Sequence, residues 1–125
     1  MAITISAAEL DIMNVLWSGG ELAASDVHAR LANDKDWASR TVKTLLARLV
    51  EKGALTTKPD GRRYLYAAAI SETDYKTKAA GQFIDRIFAG RAAPLVAHLA
   101  DSRGLSDTDI AELEALLGEL KNDVS

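Results

Sequence analysis

The stretch SRTVKTLLARLVEKG, residues 39–53, decides how this chain is read. Val42, Leu45, Leu46, Leu49 and Val50 recur at i, i+3, i+4, i+7 and i+8, the spacing of one helix face. The opposite side carries Ser39, Arg40, Thr41, Lys43, Thr44 and Arg48, and Glu51 is the only acid in the run. Ser39 stands where an N-cap is wanted, and Gly53 where a left-handed C-terminal residue is wanted. The spacing predicts a helix over about 40–52. The chain as a whole is acidic, with 15 Lys and Arg against 18 Asp and Glu, a net charge of −3. Cations and hydroxyls gathered on one face of such a chain suit phosphates and base edges. A solvated surface helix is the plainer reading of the same charges.

The charge is uneven on a wider scale. Residues 37–70 hold 7 basic residues against Glu51 and Asp60, a net of +5. Residues 71–125 hold 6 against 10, a net of −4. A local basic surface marks a nucleic-acid footprint better than overall pI does.

Upstream, Ser6 and Glu9 form an S-x-x-E capping box before a helix over about 7–18. Its apolar stripe is Leu10, Met13, Leu16 and Trp17, and Gly19-Gly20 ends it. ELAAS (21–25) is short and extended and ends in Ser25, expected to cap a helix over about 26–33 that buries Val27 and Leu31. NDKDW (33–37) is a polar turn. Downstream, ALTTK and RRYLYAA flank PDG, a hairpin signal, with Arg62 and Arg63 near its tip. Three more helices are expected: about 72–89 from a Ser71–Asp74 start, a short one entered through Pro94, and 107–121 capped by Ser106.

Helix, short strand, helix, helix, hairpin is the order of a winged helix-turn-helix. The expected fold is mainly α with a small β-hairpin. A winged helix-turn-helix DNA-binding domain occupies 1–70, and a helical dimerisation domain occupies 71–125. About 55 residues in three helices make a marginal core. Yet Phe83, Ile84, Ile87 and Phe88, then Leu113, Leu116, Leu117 and Leu120, form apolar stripes, joined by Leu95 and Leu99. A second copy of the chain would cover them.

The stretches ISAAELDIMNVLW, DWASRTVKTLLARLVEKGAL, YLYAA and TKAAGQFIDRIFAG resemble the BlaI/MecI family of penicillinase repressors over most of the chain, from about Ile5 to Leu120. The resemblance implies a homodimeric repressor on dyad operators of double-stranded DNA. It implies Ser39, Arg40, Thr41, Lys43, Thr44 and Arg48 on the recognition helix, although Lys43 stands where Arg is expected. It further implies control of genes of the β-lactam-resistance type. Release would follow cleavage within the dimerisation domain, dependent on a membrane-bound zinc-protease receptor. PLVAHLAD aligns with the cleaved segment and puts the junction at His98-Leu99, where the family has Asn-Phe. A copper-sensing branch uses C-terminal cysteines, and this chain has none.

Other classes are disfavoured by the residues themselves. Without cysteine there are no disulfides, thiol catalysis or zinc-cysteine sites. His28 and His98 lack ligating neighbours in sequence, so no metal and no cofactor are expected. No phosphate loop, G-x-S-x-G or H-E-x-x-H occurs, and an enzyme is not expected. No apolar run approaches the roughly 18 residues of a membrane span, nor is there a secretory signal. A cytoplasmic protein without direct membrane binding is the expectation. Two rivals stay open: a winged-helix protein–protein adaptor, and a repressor answering to a small effector bound within residues 71–125.

Overall fold

The computed structural model describes residues 3–124, with side chains through 122. The described elements are α1 (Ala7–Gly19), β1 (Leu22–Ala23), α2 (Ala24–Leu31), α3 (Ser39–Glu51), β2 (Leu55–Asp60), β3 (Arg63–Ala68), α4 (Glu72–Phe88), α5 (Ala92–Ser102) and α6 (Asp107–Val124). This is the winged-helix order followed by helices. The chain divides into two compact units, one through Lys76 and one from Thr77 on.

In the first unit, α1, α2 and α3 close over one core. Ile12, Met13 and Leu16 meet Val27 and Leu31 from α2 and Val42, Leu45, Leu46 and Leu49 from α3. The predicted apolar face of α3 is the buried one, and Val50 is half-buried beside it. Each fully buried Leu contributes about 1.5–3 kcal/mol relative to exposure, so this face fixes how α3 sits. The buried stripe of α1 departs from the expected one. Ile12 and Glu9 are inside, whereas Leu10 and Trp17 are half-buried at its edge. Trp17 still reaches across, its indole Nε1–H donating to the Ile70 carbonyl at 3.0 Å.

The α1 capping box forms as expected: Ser6 N–H donates to Glu9 Oε1 at 2.8 Å, and Glu9 N–H to Ser6 Oγ at 3.2 Å. Two other caps differ from expectation. α2 starts at Ala24, with Ala23 as N-cap, because the Asp26 carboxylate accepts from Ala23 N–H at 3.2 Å. Ser25 therefore lies inside the helix and caps nothing. In α3 the N-cap is Ala38, without a side-chain bond, and Ser39 is the first helical residue.

The sheet is antiparallel in the order β1-β3-β2. Two residues of β1 pair with β3, Leu22 with Tyr66 and Ala23 with Leu65. The hairpin closes at Asp60 opposite Arg63, around Gly61 and Arg62. Gly61 has φ +65°, which side-chain-bearing residues avoid. Pro59 sits in β2 because that strand is an edge, where a missing N–H is tolerated.

In the second unit no described side chain is fully buried. Ser106 Oγ accepts from Asp109 N–H at 3.0 Å, so α6 starts as its sequence predicts. Phe88 packs near Phe83 and near the ring of His98, with centroids 6.0 and 5.7 Å apart.

Candidate nucleic-acid interface

The apolar face of α3 points inward, so its other face must point to solvent. Ser39, Arg40, Thr41, Lys43, Thr44 and Arg48 are all exposed. Arg40, Lys43 and Arg48 have no carboxylate partner among the described residues. The opposite helix end behaves differently: Lys52 is spent structurally, reaching the Thr4 carbonyl at 2.8 Å and Glu9 at 2.5 Å. Thr44 is also partly committed, since its hydroxyl donates to the Arg40 carbonyl at 2.9 Å.

The wing adds Arg62 and Arg63, both exposed. Arg62 occupies the turn and has no ion pair among the described residues, whereas Arg63 Nε donates to Asp60 at 3.1 Å. Lys58 is likewise neutralised, by Glu21 at 3.1 Å. Between residues 37 and 70, the cations without an ion pair among the described residues are thus Arg40, Lys43 and Arg48 on the outer face of α3 and Arg62 at the wing tip.

Two further residues steady the entry to α3. His28 Nε2 lies 2.8 Å from the Trp37 carbonyl. A carbonyl only accepts, so the imidazole must carry its proton on Nε2. This ties α2 to the turn before α3. Trp37 packs against the core edge, with Lys35 Nζ 5.9 Å from its ring centroid. Sequence reading assigned His28 no such role, because its partner is a backbone atom nine residues away.

Glu9 supplies the electrostatic anchor at the other end of α3. It is 2 % exposed. Burial pushes its carboxyl upward, but the hydrogen bonds from Lys52 and Ser6 and the Lys52 charge outweigh burial and hold it below the ordinary carboxylate range.

A cleft of about 380 Å³ opens between Lys43 on α3, the wing residues Arg62, Arg63 and Tyr64, and the first turn of α2 at Ser25. Neither Ser25 nor Tyr64 was singled out by sequence as a binding residue. Among the described residues no group of three or more His, Asp or Glu gathers to hold a metal ion. No helix among them is long and apolar enough to cross a membrane.

The residues expected at a twofold contact fall in two classes. Phe83, Ile87, Leu116, Leu117 and Leu120 are exposed, while Ile84, Phe88, Leu95, Leu99 and Leu113 are half-buried. His98 is exposed within α5, and Leu99 beside it is half-buried.

The sequence model of the penicillinase repressor family matches residues 5–119. The chain belongs to that family. It is 34% identical over 118 residues to a penicillinase repressor of Bacillus licheniformis, covering 94% of this chain and 92% of that one. It is 31% identical over 115 residues to the methicillin resistance regulatory protein MecI of Staphylococcus aureus strain N315, covering 92% and 94%. Among solved structures, it is similar to Bacillus licheniformis BlaI in its monomeric form in complex with the blaP half-operator. The TM-score is 0.52 at 37% identity, over 59% of this chain and 92% of that one. The penicillinase repressor family is one of transcriptional regulators rather than enzymes.

Proposed function

We propose that the protein is a DNA-binding transcriptional repressor acting as a homodimer on dyad operators. The observation that carries this reading is the exposed face of Arg40, Lys43 and Arg48, without ion pairs among the described residues, on a helix whose other side is locked into the core, with Arg62 at the wing tip. The similarity to BlaI in complex with a half-operator supports the same docking. α3 enters the major groove, and the wing lies on the adjacent backbone. In this reading residues 1–70 form the DNA-binding domain and 71–125 the dimerisation domain.

The dimer is supported by exposed Phe83, Ile87, Leu116, Leu117 and Leu120, each 49–58% exposed, in a unit with no fully buried side chain among those described. A second copy removes this surface from water. Release occurs by a cut at His98-Leu99 made through a membrane-bound zinc-protease receptor, and the regulated genes are of the β-lactam-resistance type. The junction lies inside α5, one turn from its end, where Arg103 and Gly104 N–H groups donate to the Leu99 carbonyl at 3.0 Å. A protease must unwind that last turn, and helix ends fray most easily.

The testing experiment is selection of duplexes from a random pool by the full chain. A recovered sequence with twofold symmetry is the expected result. A pool that returns unselected supports the adaptor instead.

A further inference from the structure

We infer that the cleft between α2, α3 and the wing seats one phosphodiester of the DNA backbone, and that Ser25 and Tyr64 bind it together with Lys43 and Arg62. This rests on the DNA-binding reading and extends it to a defined anion site.

The site arises from two local events. Pairing of Leu22 and Ala23 with β3 draws the first turn of α2 against the wing. Asp26 then takes the capping role at Ala23 N–H, which leaves the exposed Ser25 hydroxyl with no hydrogen-bond partner among the described residues. Ser25 lines the same cleft as Lys43, Arg62, Arg63, Tyr64 and Tyr66.

The charge balance favours an anion. No carboxylate lines the cleft among the described residues. The nearby acids are already engaged: Glu21 with Lys58, Asp26 with Ala23 N–H, and Asp60 with Arg63. Lys43 and Arg62, on opposite sides, have no such partner among the described residues. Tyr64 is a large aromatic left 57 % exposed at the cleft. Its ring offers an apolar wall for a deoxyribose, and its hydroxyl a donor for a phosphate oxygen. Two cations, a free hydroxyl, a phenol and an apolar wall suit a phosphodiester attached to a sugar. A second cationic or a purely apolar ligand would not match them.

The test uses the full-length chain, a selected duplex and Ser25→Ala, Tyr64→Phe and Arg62→Ala variants. Ser25→Ala and Tyr64→Phe should each weaken binding about three- to tenfold, equally on selected and random duplexes, because a phosphate carries no sequence. Neither variant loses a cation, so the slope of log K against log salt should stay unchanged. Arg62→Ala should flatten that slope by about 0.9. A neutral methylphosphonate placed at successive backbone positions should weaken the wild type at one linkage and cost markedly less there in Ser25→Ala. Equal wild-type affinity for Ser25→Ala and Tyr64→Phe, beside loss for Arg40→Ala, would overturn the cleft and leave DNA binding standing. Failure of the wild type to bind any duplex would overturn both. Saturable binding of inorganic phosphate below millimolar, without coupling at any methylphosphonate, would assign the cleft to a free anion and also overturn the inference.

Discussion

Replacing Lys52 by Met removes the ammonium that faces Glu9 while keeping most of the apolar stem. Glu9 is 2 % exposed, and Oε1 accepts from Ser6 N–H at 2.8 Å and from Lys52 Nζ at 2.5 Å. The variant leaves a buried carboxylate with one backbone partner. A charge-assisted hydrogen bond contributes about 1.5–3 kcal/mol. The larger losses of fully buried pairs do not apply, since the Lys52 side chain is 36 % exposed and water can reach the gap. A loss of about 2 kcal/mol in a unit of this size lowers the unfolding temperature by roughly 8–16 °C. The effect depends on pH with a definite sign. The Glu9 carboxyl is held below its ordinary range, so its contribution is complete above that range and fades as pH falls through the depressed value. At that acidity both proteins hold a neutral Glu9, and the gap between them closes. Circular dichroism melts from pH 7 down to about pH 3 read this directly. Equal melting of Lys52→Met and wild type at pH 7, or a gap that stays constant into acid, would refute the reasoning.

Leu46 is fully buried, and Leu46→Ala should cost about 2–5 kcal/mol in urea unfolding, with operator binding recovered wherever the variant is folded. Ala89, with φ +52°, holds a left-handed conformation that costs a side-chain-bearing residue about 1–2 kcal/mol, so Ala89→Gly should raise the stability of the second unit modestly after the entropy cost of glycine, read by thermal unfolding of the full chain. Leu116→Ser with Leu117→Ser should convert a dimer to a monomer in sedimentation at micromolar concentration; an unchanged mass would place the contact elsewhere. The fragment ending at His98 should be monomeric and bind its operator orders of magnitude more weakly, through lost effective concentration.

The helix order was legible because each helix announces itself locally. Ser6 and Glu9, Gly53 and Ser106 act within one turn of where they stand. The face of α3 was legible because four of its five aliphatic positions are buried, which forces Arg40, Lys43 and Arg48 outward. Ser25 misled because two neighbours compete for one capping role, and Asp26, at the third helical position, reaches Ala23 N–H. Glu9 was legible as a cap but not as a buried charge, since Lys52 lies 43 residues away. Tyr64 and Ser25 come to line one cleft only after β1 pairs with β3, a two-residue contact that leaves almost no sequence pattern.

The most direct measurement is fluorescence anisotropy of a labelled dyad duplex and its isolated half-site with the full chain, over 50–300 mM salt. Binding of the dyad far tighter than the half-site is predicted, with log K falling linearly in log salt by about 0.9 for each phosphate contact. Equal, salt-independent or absent binding to both duplexes would contradict a dimeric repressor docked through α3 and its wing.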